Sequence, residues 1–150
     1  MRILVLNGPN MNLVGSREPG IYGEKSYPEI VAAIQRHCRE RDVQVEVRQS
    51  NHEGALVDCI QEAAGAFDGI VINPAAYTHT SIALLDAVRA VGIPTVEVHL
   101  SDPDKREAFR RVSFIRGACI GTIKGKGWAG YLEAVDRLLD HLSERRRRST

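Results

Sequence analysis

The chain alternates short apolar runs with amphipathic stretches, and this alternation limits the folds that it can adopt. Residues 3–6 form a continuous apolar run that ends at Asn-Gly-Pro, which is typical of a strand buried on both faces. A helix is predicted to begin at Ser26, because Pro28 falls in its first turn and Glu29 completes a capping box. Strands that alternate with helices in this way form a parallel sheet covered by helices on both faces.

The same patterns predict further strands and helices along the chain. Strands are predicted at residues 3–6, 43–47, 69–72, 95–98 and 119–123. Helices are predicted from residue 26 and at residues 55–64, 80–91, 103–111 and 128–142. This pattern favours an α/β fold, a flavodoxin-like three-layer sandwich whose five-stranded parallel sheet has the order 2-1-3-4-5. Because the chain has 150 residues, we expect one catalytic domain over residues 1–150, in which residues 145–150 form a flexible basic tail.

Polar residues that are unusual in buried segments follow the predicted strands. They lie at residues 7–10, 50–53, 73–81 and 99–102, each directly after a strand. The carboxyl ends of parallel strands meet at one edge of the sheet, where α/β proteins bind their ligands. The clustering therefore predicts a functional site at this edge.

The first connection between a strand and a helix, residues 7–25, is far longer than the usual loop of about 2–6 residues. Its four glycines are candidate hinges, and it also contains Arg17 and Tyr22. A long loop with hinges and reactive side chains indicates a lid over an active site. A disordered surface insertion is the alternative.

The strand ends and loops carry a set of motifs that are specific when taken together. They occupy residues 6–13, 17–19, 22–23, 49–54, 73–81, 97–101, 106–110 and 130–132. In these motifs, and over essentially its whole length, the chain resembles the type II 3-dehydroquinate dehydratases. Met11, Asp102 and Lys126 depart from the residues that are usual in that family. Of these, Asp102 is adjacent to the expected carboxylate site.

The resemblance implies a lyase of the shikimate pathway that catalyses anti elimination of water from 3-dehydroquinate to give 3-dehydroshikimate. A proton leaves the carbon beside a ketone, an enolate forms and a hydroxyl then departs. Such a reaction needs a base, an enolate stabiliser and an acid. The resemblance implies that no cofactor and no metal takes part. Quinate breakdown uses the same step, and the sequence leaves that role open.

The resemblance also implies catalytic roles for particular residues. Tyr22 is the base, and Arg17 is the cation that offsets the cost of its phenolate, about 4 kcal/mol at pH 7. His99 is the general acid, and Asn10 helps to stabilise the enolate through an ordered water. Glu97 shares a strand face with His99 and is expected to hold the imidazole tautomer. The alternative for Tyr22 is a lid residue that packs on the rim of the site. The alternative for His99 is a half-buried histidine whose hydrogen bonds are satisfied within the protein, and that for Asn10 is a turn residue.

The implied substrate is a small carboxylate with several hydroxyls, and further residues are expected to bind it. Asn73 and His79 would bind hydroxyls, with an Asx turn and a helix-terminal polar residue as their alternatives. Arg110 would hold a ring hydroxyl, unless it lies on a solvated helix face. The backbone N–H groups of Leu100 and Ser101, at the start of the predicted helix 103–111, would bind the carboxylate.

Asp86 lies in the third predicted helix, and the resemblance implies that it reaches the substrate of a neighbouring subunit. The protein is therefore expected to be a homo-oligomer, a dodecamer built from trimers. A net charge of +1 and the absence of a long apolar stretch indicate a cytoplasmic protein that binds neither nucleic acid nor membrane. The arginines at 145–148 are expected to be solvated. Three cysteines without a close pair are expected to be buried or half-buried thiols.

Other readings of the sequence remain as alternatives. A metal hydrolase could draw its ligands from the sheet edge, at His52, Glu53, His79, Glu97 and His99. A flavodoxin-like binding module is the non-enzymatic alternative. A Schiff-base dehydratase is excluded, because the lysines lie outside the motif loops and the chain is too short for a (β/α)₈ barrel.

Residues 125–130 match the nucleotide-binding pattern G-x-G-x-x-G between a strand and a helix. No further strand follows that helix, so the βαβ unit that nucleotide binding requires is not predicted. Close packing of the last helix against the sheet is the preferred explanation of these glycines.

Overall fold

The structure, a computed structural model, describes residues 1–15 and 25–150 of the chain. The strands in these residues are β1 (Arg2–Asn7), β2 (Gln44–Gln49), β3 (Gly69–Asn73), β4 (Thr95–His99) and β5 (Gly121–Lys124). They form a five-stranded parallel sheet in the order β2-β1-β3-β4-β5. The flavodoxin-like order predicted from the sequence is therefore confirmed.

Helices cover both faces of this sheet. Those in the described residues are α1 (Tyr27–Glu40), α2 (Glu53–Glu62), α3 (Ile82–Val91) and α4 (Ala129–Arg148). On one face, Ile34 of α1 and Tyr131 of α4 belong to the same buried core as Val5. On the other face, Leu84 of α3 packs in a core that contains Leu6. The result is the predicted three-layer sandwich, with the sheet buried between two apolar cores.

Two helices begin at side-chain caps that the sequence makes visible. At the start of α1, Ser26 Oγ accepts the backbone N–H of Glu29, and the Glu29 carboxylate accepts the backbone N–H of Ser26, which confirms the predicted capping box. At the start of α3, Ser81 Oγ accepts the backbone N–H of Leu84 at 2.9 Å. Such caps satisfy backbone donors that have no partner inside the helix.

The single helix predicted at residues 103–111 is wrong. The chain forms two separate 3₁₀ turns there, Pro103–Lys105 and Ala108–Arg111. Asp102 Oδ1 accepts the backbone N–H of Asp104 and closes the first turn, because a short acidic side chain competes with helical bonding. Arg106 is then extended, with φ −110° and ψ −157°, so the helix cannot continue.

The predicted bounds of the last strand also need correction. β5 begins at Gly121, not at Cys119, because Arg116–Ala118 form a 3₁₀ turn. The backbone N–H of Cys119 donates to the Arg116 carbonyl and belongs to that turn, so it does not take part in the sheet.

Helix α4 continues to Arg148, past the predicted end at residue 142. Arginine and glutamate favour helices, and cations are favourable in the last turn because the carboxyl end of a helix carries partial negative charge. The flexibility predicted for residues 145–150 stays a prediction. No helix of the described residues is both long and apolar enough to cross a membrane.

The cysteines are free thiols, as predicted. Cys38 is buried, and Cys59 and Cys119 are half-buried. Burial raises the pKa of Cys38 to about 11 and that of Cys119 to about 12. These two side chains are therefore neutral thiols near pH 7 and poor nucleophiles.

The loops that follow β1 and β3 touch through their backbones. The two strands are in register, with Asn7 opposite Asn73, and the backbone N–H of Gly8 donates to the Asn73 carbonyl at 2.8 Å. A Cβ atom on Gly8 would lie 2.4 Å from the Pro74 carbonyl oxygen. Glycine is therefore required at position 8 so that the loops after β1 and β3 can approach each other.

Replacing Gly8 with alanine is expected to lower the free energy of unfolding by about 2 kcal/mol or more. The new methyl group would meet a backbone carbonyl, which cannot rotate away. Denaturant unfolding of the purified variant measures the effect. Gly54→Ala is the control, because Gly54 lies in α2 and a Cβ there meets nothing within 4 Å. If the two variants were equally stable, the contact at Gly8 would not be a constraint.

Candidate active site

A cavity of about 140 Å³ opens beyond the carboxyl ends of β3 and β4. It is large enough for one small molecule, because a cavity of roughly 150 Å³ holds benzene. The structure therefore places a cavity at the predicted sheet edge. Residues predicted from the sequence that line it are Asn10, Asn73, His79, His99, Leu100, Ser101 and Arg110.

The remaining predicted site residues are not brought to this cavity by the described part of the chain. Arg17 and Tyr22, with residues 16–24 of the predicted lid, lie outside the described residues. Asp86 is exposed on α3 and is not among the described residues that line the cavity. Arg106 does line it, although the sequence pattern predicts no role for this residue. Its place in the motif at residues 106–110 is the signal that could have identified it.

Asn10 adopts a left-handed backbone conformation, with φ 67°. Asparagine tolerates this conformation better than most residues. The loop after β2 holds the Asn10 backbone in place, because Asn51 Oδ1 accepts the backbone N–H of Asn10 at 3.0 Å. The same oxygen accepts the Gln49 side-chain amide at 3.0 Å. The Gln49 amide also donates to the Gly8 carbonyl. Asn10 is thus both a turn residue, as the alternative predicted, and part of the cavity wall.

Asn73 ends β3, and its side chain is almost fully buried beside the cavity. Its Oδ1 accepts the backbone N–H of Ala75 at 3.1 Å, which is the Asx turn given as the alternative. Its Nδ2 donates to the Tyr131 hydroxyl at 2.9 Å, and that hydroxyl donates to Asn7 Oδ1 at 2.5 Å. Burial raises the pKa of Tyr131, which keeps the hydroxyl protonated. The orientation of the Asn73 amide is therefore fixed.

His99 ends β4 and lies beside a buried carboxylate. Its Nε2 is 2.8 Å from Glu97 Oε2, so the predicted contact between these two side chains is present. Both residues are buried, and Glu97 is fully so. Since residues i and i+2 of a strand share a face, the strand itself brings the pair together.

The Glu97 carboxyl is ionised. Burial alone would raise its pKa, but hydrogen bonds from His99, Thr78 and Ser113 outweigh burial and hold the pKa at about 2. An ionised carboxylate only accepts hydrogen bonds, so His99 Nε2 must carry the proton in their contact. The other ring nitrogen, Nδ1, takes no part in that contact, and His99 also lines the cavity.

His79 is held by a backbone carbonyl. Its Nδ1 lies 2.6 Å from the Val112 carbonyl oxygen and therefore donates to it. Burial lowers the pKa of this imidazole despite the bond to Val112. In the neutral ring with a proton on Nδ1, Nε2 is an acceptor that can bind a hydroxyl.

Arg110 is oriented by Phe109 on its own 3₁₀ turn and by Glu107, the residue before that turn. Its Nε donates to Glu107 Oε2 at 2.6 Å, and its guanidinium lies 5.1 Å from the centre of the Phe109 ring. The ion pair with Glu107 is partly exposed and adds little to stability, but it limits the directions that the guanidinium can take. The other N–H groups of the guanidinium remain suited to bind oxygen atoms.

Leu100 and Ser101 form the cavity wall after β4. Their carbonyls accept the backbone N–H groups of Gly127 (2.9 Å) and Gly125 (3.0 Å), which fixes both peptides. The expectation that they start a helix is wrong, because only the 3₁₀ turn Pro103–Lys105 follows. Their N–H groups would therefore bind a carboxylate as loop amides, without the dipole of a full helix.

The explanation of the glycines at residues 125–130 by close helix packing stays a prediction. Gly125 and Gly127 have positive φ angles of 76° and 61° in the turn after β5. A Cβ atom on Gly130 would lie 3.4 Å from side-chain carbons of Ile123 and Val98, an ordinary contact distance between α4 and the sheet. Lys126, one of the three departures named above, pairs with Glu133 on the surface.

The metal-hydrolase alternative requires a set of ligands in one place. Among residues 1–15 and 25–150, no group of three or more His, Cys, Asp or Glu side chains is arranged to hold a metal ion. His52 and Glu53 lie at the start of α2 and are not among the described residues that line the cavity. The described residues therefore give that alternative no ligand set.

Comparisons with known proteins agree on one family. The model of the family described as Dehydroquinase class II matches residues 1–139. A 3-dehydroquinate dehydratase of Synechococcus sp. (strain CC9605) is 54% identical over 142 residues, which cover 95% of this chain and 97% of the relative. A catabolic 3-dehydroquinase of Aspergillus clavatus is 50% identical over 143 residues, 95% of each protein.

A solved structure has the same fold over almost the whole chain. The crystal structure of the type II dehydroquinase from Butyrivibrio crossotus DSM 2876 matches with a TM-score of 0.91 at 49% identity. The match covers 92% of this chain and 97% of that one. The family match, the relatives and the shared fold together show that this chain belongs to the type II dehydroquinase family.

Proposed function

We propose that the protein catalyses the loss of water from 3-dehydroquinate to give 3-dehydroshikimate, as an enzyme of the shikimate pathway in the cytoplasm. The buried pair of Glu97 and His99 at the cavity is the observation that carries this proposal. It is a proton-transfer group held in one orientation beside a cavity of small-molecule size. Membership of the type II dehydroquinase family supplies the reaction.

His99 acts as the general acid that protonates the departing hydroxyl. Because Glu97 holds the proton on Nε2, a second proton on the ring sits on Nδ1, and this is the proton that is donated. Glu97 stays ionised and stabilises the imidazolium that exists before the transfer. The bond from carbon to oxygen then breaks, and the oxygen leaves as water with that proton.

The preceding step removes a proton from the carbon beside the ketone and forms an enolate. By family resemblance the base is Tyr22, with Arg17 favouring its phenolate, and both lie outside the described residues. Asn10 stabilises the enolate through an ordered water. Its fixed backbone supports this role, because a preorganised donor does not have to reorient as charge develops. Base and acid act on opposite faces of the ring, as anti elimination requires.

The substrate is held by groups around the cavity. Its carboxylate binds the N–H groups of Leu100 and Ser101. The Ser101 N–H shares a peptide with the Leu100 carbonyl, which the Gly127 N–H already holds. The hydroxyls of the substrate bind Asn73, His79 and Arg110, each of which has its own partner in the protein and so a limited set of orientations. Such prior ordering reduces the entropy lost on binding.

We propose further that the protein is a homo-oligomer, a dodecamer built from trimers, in which Asp86 reaches a neighbour's substrate. Asp86 is exposed and is not among the described residues that line the cavity of its own subunit. Ile82, on the same helix, is 56% exposed, and Phe109, whose ring contacts Arg110, is 63% exposed. Exposed large apolar side chains of this kind are suited to an interface between subunits.

The reaction itself is tested with purified protein that has been treated with a chelator. Mixed with 3-dehydroquinate, it is expected to give a steady rise in the ultraviolet absorbance of the conjugated enone product, at the same rate as untreated protein. No rise from a folded oligomer would contradict the proposal. Activity lost with the chelator and restored by a metal ion would favour the metal hydrolase.

Replacing His99 with glutamine is expected to lower kcat by about 10²–10⁴, the usual contribution of a general acid, with little change in KM. Glutamine can still donate to Glu97 but has no proton to give to the leaving hydroxyl. His141→Gln is the matched control, because His141 lies on α4 beside Leu142, which lines a cleft with Met1 at the opposite edge of the sheet. Equal kcat values for the two variants would remove His99 from the mechanism.

Replacing Tyr22 with phenylalanine is expected to abolish turnover while the substrate still binds. The ring keeps its shape, but the oxygen that would take the proton is gone. Turnover is followed by the enone absorbance and binding by calorimetry. Substantial residual turnover in this variant would show that another residue is the base.

A further inference from the structure

Two hydroxyls, that of the buried Thr78 and that of the half-buried Ser113, contact the carboxylate that holds His99. Thr78 Oγ1 lies 2.6 Å and Ser113 Oγ lies 2.7 Å from Glu97 Oε2, the same oxygen that accepts from His99. The two hydroxyl oxygens are 2.9 Å apart. The other carboxylate oxygen, Oε1, accepts from Thr122 Oγ1 at 3.2 Å. Neither Thr78 nor Ser113 has a role in the reaction described so far.

These hydroxyls come from two segments that also build the cavity wall. Thr78 lies in the 3₁₀ turn Ala75–His79, next to His79, and Ser113 follows the turn that contains Arg110. The backbone N–H of Phe114 donates to the Thr78 carbonyl at 2.9 Å and joins the two segments. The donors to Glu97 are therefore placed by the same backbone that places the substrate-binding side chains.

The direction of each hydrogen bond follows from the charge on Glu97. An ionised carboxylate has no proton to give, so each hydroxyl must use its single proton to donate to Oε2 or to its neighbouring hydroxyl. With the Nε2 proton of His99, Oε2 has three donor groups around it. A proton cannot be added to this oxygen without turning a donor away.

We propose that Thr78 and Ser113 are positioning residues for the dehydration, which act through Glu97 to keep His99 turned with Nδ1 towards the substrate. The inference rests on the proposed function, because it assigns a purpose to the orientation of the general acid. Neither hydroxyl touches the reacting atoms. Each hydroxyl helps to keep the Glu97 carboxylate ionised, and an ionised carboxylate forces the ring proton of His99 onto Nε2.

Other charged groups around the pair set the background for its titration. Arg116 Nε lies 3.6 Å from Glu97 Oε1, beyond hydrogen-bond distance, and adds a favourable charge. His79 and Arg110 line the same cavity as His99, His79 interacts electrostatically with both His99 and Glu97, and the Cys119 thiol is near Glu97. Lys124, opposite His99 on β5, is paired with Asp104.

The sign of the pH effect follows from these contacts. In the natural protein the pKa of Glu97 is about 2, so this carboxyl does not titrate where enzymes are usually assayed. Without the two hydroxyls, burial still raises the pKa of Glu97, and two of the bonds that lower it are lost. The carboxyl then gains a proton at higher pH, and activity falls on the acid side of the profile.

The test compares the pH dependence of kcat and of KM for the natural protein, Thr78→Val, Ser113→Ala and the double variant. We expect kcat to fall roughly ten- to a hundredfold, which is part of the contribution of a general acid, with little change in KM. We also expect the acid limb of kcat to move to higher pH, furthest in the double variant. Thr78→Ser, which keeps the hydroxyl, should restore the natural profile.

The control is Thr95→Val. Thr95 is fully buried on β4, the strand that carries Glu97, but its hydroxyl donates to the Ile93 carbonyl at 2.8 Å and not to Glu97. The Thr95→Val variant is expected to be less stable, but the acid limb of its kcat profile should stay at the pH of the natural protein. An unchanged limb in the folded double variant, or equal losses in Thr78→Ser and Thr78→Val, would overturn the inference. If Thr78→Val does not fold, Ser113→Ala decides by the same criterion. Absence of turnover in the natural protein would instead reject the proposed function.

Discussion

The buried carboxylate of Glu97 is the interaction on which the site depends. An isolated ion inside a protein costs several kcal/mol, so Glu97 can be ionised only because neighbouring side chains donate to it. Those donors come from β4, from β5 and from the two loops that carry Thr78 and Ser113. Since the folded pKa is depressed, the carboxylate stabilises the fold above its ordinary pKa, and this contribution is lost as the pH falls towards about 2.

The sheet turns this interaction into a site. The face of β4 towards α2 and α3 carries Thr95, Glu97 and His99, where the neighbouring strand β3 carries Ile70 and Ile72. Polar side chains in an apolar face are tolerated because each has a partner, and their line ends at the cavity. The opposite face of β4 stays apolar and packs against α4. One strand therefore serves the core on one side and the chemistry on the other.

Much of this arrangement could be predicted from the sequence. The sheet order and layers follow from alternating strands and helices, and the cavity follows from polar residues after the strands, because parallel strands end at one edge. The pair of Glu97 and His99 follows from i, i+2 spacing. Thr78 and Ser113 could not be found in this way, since contacts between residues 35 apart depend on tertiary packing. The helix expected at 103–111 was wrong because the Asp102 side chain competes for backbone bonds.

The close approach of Gly8 to Pro74 has a consequence for how this enzyme can be altered by evolution or by design. Together with the bond from the Ser50 N–H to the Asn7 carbonyl at 3.0 Å, it means that the loops after β1, β2 and β3 fit one another through backbone atoms. Backbone contacts leave no side chain that could absorb a change in one loop alone. A loop taken from a relative should therefore be transferred together with the two loops that it touches, so that the three are inherited as a single unit.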